Sequence, residues 1–171
     1  MSTGLLQQLG ERQCVLELGS GTGLAGIAAA MALRVPTVLT DLPEVLPSIS
    51  RNASLNKDMS SLITVHPLDW HDAAAGSPGK DTFPGGPFGL VIAADCVWLE
   101  RLVAPFVAAL RAVATDAGTM VILSYQSRSS RVDDLLFGLL DKSFHRAALP
   151  LLEGEPDRGV IELYGLRRKP T

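Results

Sequence analysis

The chain has 171 residues, of which 47% are hydrophobic and 19% are charged, and its formal net charge is −3. This length predicts a single domain spanning residues 1–171, and the apolar content is enough to build a core, which excludes a disordered chain. The negative charge argues against a basic face for nucleic acid, and no apolar run approaches the ~18 residues of a membrane span. We therefore expect a globular protein that binds neither nucleic acid nor membrane.

Short β-branched segments alternate with helical segments along the chain. We predict helices at residues 24–33, 47–56, 99–113 and 132–140, and strands at residues 14–18, 37–40, 63–66, 90–93, 119–123, 144–149 and 160–166. Residues 76–87, seven of which are Gly or Pro, are predicted to form a long surface loop. The strand–helix alternations predict a parallel sheet with right-handed crossovers, and the short link between the last two strands predicts a hairpin.

The predicted fold class is therefore α/β: a doubly wound, mostly parallel, seven-stranded sheet whose last strand is antiparallel. Ligands of such sheets bind beyond the carboxyl ends of the strands. The glycines Gly19, Gly21 and Gly23 follow the first strand and open a helix, where a tight turn lets a ligand approach the backbone. Asp41, at the end of the second strand, can accept both ribose hydroxyls of an adenosine. The alternative interpretation is a glycine turn that only packs the helix against the strand.

Carboxylates recur where the predicted strands end. Glu17, Asp41, Asp69 and Asp95 occupy these positions on the first four strands. Four carboxylates around one crevice would repel a pyrophosphate, so they fit S-adenosylmethionine (SAM), with its hydroxyls, amine and sulfonium, better than they fit NAD. For any one of these acids alone, the alternative is a solvated loop carboxylate.

Two tryptophans lie beside these acids. Trp70 follows Asp69, and together they can recognise an adenine amine and cover the base. The small Ala94 lets a cofactor approach the fourth strand, while Asp95 and Trp98 follow it and face the mouth of the crevice. The alternative for each tryptophan is a packing role in the core or at a helix start.

The cysteines and histidines are few and scattered. Cys14 and Cys96 lie in apolar segments without a CxxC pattern, and the three histidines fall on different segments. This distribution predicts a reducing compartment and no metal site.

The motifs together resemble those of the seven-β-strand protein-lysine methyltransferases, the group that acts on chaperones and elongation factors. The segments that carry this resemblance are Val-Leu-Glu-Leu-Gly-Ser-Gly-Thr-Gly-Leu at 15–24, Thr-Asp-Leu-Pro at 40–43, Leu-Asp-Trp at 68–70, Ala-Asp-Cys-Val-Trp at 94–98 and Val-Ile-Glu-Leu-Tyr at 160–164. The resemblance implies a Rossmann-like sheet, SAM as cofactor, a lysine-bearing protein substrate such as a chaperone or elongation factor, and a cytoplasmic or nuclear location.

The resemblance also implies roles for single residues. Asp95 corresponds to the first residue of the family's Asp-x-x-Tyr motif at the lysine channel, and Trp98 stands where the family has tyrosine; we expect both to be catalytic. The residues expected to bind the cofactor are Glu17, Gly19, Ser20, Gly21, Gly23, Asp41, Leu42, Asp69, Trp70 and Ala94. The family has an upstream segment with a tryptophan that helps to close the cofactor site. Since no such segment precedes the first strand here, we expect an open cleft and low turnover.

The leading hypothesis is a SAM-dependent protein-lysine methyltransferase. A second hypothesis keeps the cofactor and changes the substrate to a small molecule or a nucleic acid, although no Asn-Pro-Pro-aromatic sequence follows the fourth strand. A third is a methyltransferase fold with little or no activity that serves as an interaction module.

Overall fold

The structure, a computed structural model, describes residues 12–74, 86–150 and 161–170. The strands are β1 (Val15–Leu18), β2 (Thr37–Asp41), β3 (Ile63–Pro67), β4 (Leu90–Ala94), β5 (Met120–Gln126), β6 (Phe144–Leu149) and β7 (Ile161–Arg168). The helices are α1 (Leu24–Leu33), α2 (Leu46–Leu55), α3 (Trp70–Ala74), α4 (Glu100–Val113) and α5 (Ser130–Ser143), with a 3₁₀ turn at Ser60–Leu62. The expectations about the segment before residue 12, most of the 76–87 loop and the link between β6 and β7 lie outside the described residues.

The seven strands form one sheet in the order β3-β2-β1-β4-β5-β7-β6. The pairings among β1 to β5 are parallel, and β7 is antiparallel to both of its neighbours, β5 and β6. The predicted α/β fold with an antiparallel last strand is confirmed. The chain order reverses at β1, which pairs with β2 on one side and β4 on the other, and this reversal opens a crevice at the carboxyl ends of these strands.

Alternation along the strands divides the core between the two faces of the sheet. Leu16 and Leu18 of β1 belong to the large core cluster, which also holds buried side chains of α4 and α5. Val15 belongs to a cluster with Leu33 of α1 on the opposite face. Helices therefore cover both faces, which is the arrangement that parallel sheets require.

Several element boundaries differ by a few residues from the sequence-based prediction, and two of the differences bear on the site. β5 continues to Gln126 rather than ending at residue 123, because β7 pairs with it as far as Gln126 and Ile161. The short helix α3 was not predicted, and its first turn is stabilised by Asp69, whose carboxylate accepts the amide hydrogen of His71 at 2.8 Å. Among the described residues, no helix is both long and apolar enough to cross a bilayer.

Gly26 allows α1 to pack closely against the sheet. A Cβ at this position would overlap the side chain of Leu39, which is fully buried on β2, and would lie 2.6 Å from Oε2 of Glu17 on β1. Helix α1 can therefore approach the two strands this closely only with glycine at this position.

We expect Gly26→Ala to destabilise the protein by about 1–3 kcal/mol, since the buried neighbours must shift to admit the methyl group. Gly138→Ala is the matched control, because Gly138 lies on α5 with nothing within 4 Å of an added Cβ; it should stabilise the protein by about 0.5–1 kcal/mol. Urea unfolding midpoints measure both changes. Midpoints that move in the same direction for the two variants would contradict this account of Gly26.

Candidate active site

A cavity of about 530 Å³ opens where the chain order of the sheet reverses. Its walls come from the turn after β1, the ends of β2 and β4, the start of α3 and the turn before α4. The lining residues are Gly19, Ser20, Gly21, Asp41, Leu42, Val45, Leu68, Asp69, Trp70, His71, Ala94, Asp95, Cys96, Trp98 and Leu102. Of the twelve residues expected from the sequence, Glu17 and Gly23 do not line this cavity, and the structure brings the others together around it.

The glycine turn is fixed to the end of β2 by backbone and side-chain hydrogen bonds. The Ser20 amide donates to the Thr40 carbonyl at 2.9 Å, and the Thr40 amide donates to the Ser20 hydroxyl at 3.0 Å. The Thr40 hydroxyl in turn donates to the Glu17 carbonyl at 2.6 Å. These bonds hold the ends of β1 and β2 together, so the turn presents a rigid edge to the cavity.

Asp41 joins the same turn through its carboxylate. Oδ2 accepts the Gly21 amide hydrogen at 2.7 Å, and Oδ1 accepts the amide hydrogen of Leu42 at 2.8 Å. Gly21 has a φ of 57°, a left-handed conformation that favours glycine, and an added Cβ there would meet nothing within 4 Å. The turn and the carboxylate therefore form one polar edge of the cavity.

Trp70 forms part of the opposite wall while also packing into the core. Its ring lies edge-on to Phe106, with centroids 5.3 Å apart, and a Cβ on Gly19 would come within 3.0 Å of it. Trp70 therefore packs into the core, as the alternative interpretation held, and it also lines the cavity.

Asp95 and Trp98 lie at the mouth, in the turn between β4 and α4. Asp95 is exposed and has a φ of 49°, a left-handed conformation that aspartate adopts more readily than most residues. Its Oδ2 accepts a hydrogen bond from Nη2 of Arg128 at 2.6 Å. Trp98 is 50% exposed, which places a large aromatic surface at the rim beside this carboxylate.

Glu17 and Gly23 lie elsewhere than the sequence suggested. Along β1 the side chain of Glu17 alternates with those of Leu16 and Leu18, so it faces α1 instead of the cavity and is buried. Gly23 packs under α1, where a Cβ would lie 3.2 Å from Leu39. The crevice is therefore lined by three of the four expected carboxylates.

Several cavity residues were missed by the sequence analysis. Val45, Leu68, His71, Cys96 and Leu102 line the cavity because of how α2, α3 and α4 pack, and Leu68, His71 and Cys96 each adjoin a residue that was predicted. That adjacency, to Asp69, Trp70 and Asp95, was the available signal. Among the described residues, no three His, Cys, Asp or Glu side chains form a group that could hold a metal ion.

The buried Glu17 is in an unusual electrostatic environment. Burial raises its pKa to about 7, the charge of Asp41 adds to the rise, and the Ser20 hydroxyl and Gly26 amide offset only part of it. Among the described residues, its Oε2 has no hydrogen-bond partner. The protonated form is thus favoured in the folded protein up to about pH 7, because an ionised carboxylate is poorly solvated there.

We expect Glu17 to make the protein less stable as the pH rises. Between the ordinary pKa of 4.5 and the folded value of about 7, the folded state holds a proton that the unfolded state has lost. The free energy of unfolding should therefore fall by about 3 kcal/mol across this window. Glu17→Gln should flatten that dependence, while Glu44→Gln, at an exposed carboxylate, should preserve it. Denaturant unfolding across the window makes the comparison, and equal slopes for Glu17→Gln and wild type would count against a buried, protonated Glu17.

Two proteins of similar sequence are named as lysine methyltransferases. Protein-lysine N-methyltransferase rrg1 of Schizosaccharomyces pombe is 31% identical over 147 residues, covering 82% of this chain and 46% of the relative. EEF1A lysine methyltransferase 3 of Mus musculus is 31% identical over 155 residues, covering 91% of this chain and 62% of the relative. The chain thus spans about half to three-fifths of the length of these two relatives.

Solved structures support the fold. The O-methyltransferase NcsB1 of neocarzinostatin biosynthesis, in complex with SAM and its naphthoic acid ligand, superposes with a TM-score of 0.64 at 18% identity, covering 98% of this chain and 53% of that one. A family model for lysine methyltransferases matches residues 2–143. Since that match covers most of the chain, the protein belongs to the lysine methyltransferase family, which agrees with the resemblance of its motifs.

Proposed function

We propose that this protein transfers a methyl group from SAM to a lysine side chain of a protein substrate. The observation that carries the proposal is the arrangement of one cavity. One edge combines the glycine turn with Asp41, and the mouth combines the exposed carboxylate of Asp95 with the exposed ring of Trp98. The first edge suits an adenosine, and the second suits an amine entering from outside.

The residues of the cavity fit SAM. Each carboxylate oxygen of Asp41 accepts one backbone hydrogen bond, and a carboxylate has about four acceptor positions, so capacity remains for the two ribose hydroxyls. Gly19 keeps the end of β1 close to Trp70, whose ring can cover an adenine. The volume of about 530 Å³ falls within the ~300–1,000 Å³ of typical cofactor sites. Ser20, Gly21, Leu42, Asp69 and Ala94 would complete the binding surface.

When bound, SAM would supply a methyl group: the lone pair of the amine would form an N–C bond as the C–S bond breaks, and the sulfur would leave as a neutral thioether. The lysine must lose its proton first, although its ordinary pKa is ~10.4. Leu68 and Leu102 provide apolar walls that favour the neutral amine by excluding water. Asp95 would accept an N–H of the amine and fix its direction, and Trp98 would line the entrance for the lysine chain. Positioning of this kind can supply ~7–11 kcal/mol of the barrier, more than the ~3–5 kcal/mol of a general base.

The proposal of a protein substrate rests on the family and on the position of the mouth. The two relatives compared are named as protein-lysine methyltransferases, one of them for EEF1A. The exposed rim at Asp95 and Trp98 can meet a lysine on the surface of another protein. We propose an elongation factor or a chaperone as the substrate class and the cytoplasm or nucleus as the compartment. The free, buried thiols of Cys14 and Cys96 suit reducing conditions.

Asp41→Asn should weaken SAM binding by about 10- to 100-fold, because hydrogen bonds to a charged group contribute ~1.5–3 kcal/mol each. SAM at about 100 times its Kd should stabilise the wild type by about 2.7 kcal/mol, seen as a rise in Tm. The variant should lose most of that rise, and Asp58→Asn, at an exposed carboxylate, should keep it. Stabilisation of the wild type by NADH and not by SAM would refute the cofactor assignment.

Asp95→Asn should reduce methyl transfer by about 10- to 100-fold while SAM affinity changes only a few fold. Asparagine tolerates the left-handed backbone at this position, so the turn should be retained. The assay follows labelled methyl from SAM into the proteins of a cell lysate. Glu100→Gln serves as the control, since Glu100 pairs with Arg131 and does not line the cavity. Equal labelling by Asp95→Asn and wild type would remove Asp95 from the reaction.

The same assay separates the three hypotheses raised by the sequence. Label in protein bands supports the proposed function, and label only in small molecules or nucleic acid supports a different acceptor. Binding of SAM with no label in any fraction supports an interaction module.

A further inference from the structure

Arg128 contacts the carboxylate that we place at the lysine entrance. Its Nη2 lies 2.6 Å from Oδ2 of Asp95 and 3.2 Å from Oε1 of Gln126. Both partners of the ion pair are roughly half exposed, at 44% for Arg128 and 47% for Asp95. Among the described residues, none donates a hydrogen bond to Oδ1 of Asp95. One oxygen of this carboxylate is thus held by a guanidinium, and the other can serve an incoming amine.

The backbone around Arg128 is fixed by neighbouring contacts. It lies between β5 and α5, where Asp133 accepts hydrogen bonds from the hydroxyls of Tyr125 and Ser127, both at 2.6 Å. The amide of Asp133 also donates to the carbonyl of Ser129 at 3.0 Å. These bonds tie both ends of the connecting segment to the start of α5. The Arg128 side chain therefore extends from a well-anchored base toward Asp95.

The charge of this pair bears on the chemistry of the amine. An isolated carboxylate beside a lysine favours its ammonium form, which has no lone pair for methyl transfer. A guanidinium on the same carboxylate compensates that effect and remains charged at every relevant pH. Resting on the function proposed above, we propose that Arg128 is a positioning residue that holds Oδ2 of Asp95 and compensates its charge, so that the substrate lysine is bound as the neutral amine.

The other charged side chains around Asp95 do not supply the positive charge that Arg128 places on its carboxylate. From α4, Glu100 pairs with Arg131 of α5, and Asp133 is engaged by Tyr125 and Ser127. From β7, Glu162 accepts the hydroxyl hydrogen of Tyr164. The cavity is lined by four further titratable side chains, those of Asp41, Asp69, His71 and Cys96, and burial raises the pKa of the Cys96 thiol. Within the described part of the chain, Arg128 is the cation that contacts Asp95.

The test compares the pH dependence of methyl transfer in wild type, Arg128→Gln, Arg128→Lys and Arg131→Gln. The acceptor is the lysate protein that wild type labels most strongly, and the rate at saturating SAM is followed between about pH 6 and pH 10. Removing one nearby positive charge should move the rising part of the plot of rate against pH about one pH unit upward, after allowance for solvent screening. Arg128→Gln should thus be about tenfold slower near neutrality and nearly equal to wild type at the alkaline end. Arg128→Lys should restore most of the profile, and Arg131→Gln should leave it unchanged.

Other results would overturn the inference in distinguishable ways. An unshifted profile for Arg128→Gln, or a uniform loss of rate at every pH, would assign Arg128 a structural role only. A faster Arg128→Gln enzyme at every pH would show that Arg128 blocks the entrance. Thermal unfolding and SAM titration of each variant identify a folding or cofactor defect, and such a defect in Arg128→Gln would contradict a role confined to Asp95. No labelling by the wild type despite normal SAM binding would refute the proposed function, and this inference with it.

Discussion

The hydrogen bonds between Ser20 and Thr40 hold the ends of β1 and β2 together at the point where the chain order of the sheet reverses. A parallel sheet leaves the amides and carbonyls at its strand ends to be satisfied by the following turns. Here the amide and hydroxyl of Ser20 bond to the carbonyl and amide of Thr40, and Asp41 adds a bond to Gly21. The turn after β1 and the end of β2 therefore behave as one rigid edge. The cavity, the glycine conformations and the orientation of Asp41 all depend on it.

The two-residue period of the strands then decides which acids are available to a ligand. Asp41 is the last residue of β2, Asp95 follows the end of β4, and both reach the cavity. Glu17 lies one residue before the end of β1 and is directed toward α1, where it is buried beneath Gly26. The same close packing of helix and sheet that requires glycine at position 26 removes Glu17 from water. Its raised pKa is a consequence of the packing and reduces the negative charge beside the cavity.

The proposed reaction makes two conflicting demands on a carboxylate at the mouth of the cavity. An acid at the entrance attracts and directs a lysine, but it also favours the protonated form that cannot react. In the proposed reaction, the pairing of Asp95 with Arg128 would address this conflict, because one oxygen would keep its acceptor role while the charge is compensated. Trp98 adds an aromatic surface in place of the hydroxyl that a tyrosine would bring. Positioning and desolvation then account for most of the proposed catalysis.

The sequence by itself determined most of the element types, the mixed seven-stranded sheet and most of the cavity lining, because periodicity, glycine turns and acids at strand ends are local signals. The tertiary structure alone decided the burial of Glu17, the need for glycine at position 26 and the contact between Arg128 and Asp95. That contact joins residues 33 positions apart. It depends on β5 continuing to Gln126 alongside β7. Side-chain partners across a sheet are set by strand register and length, and these are fixed only when the strands pair.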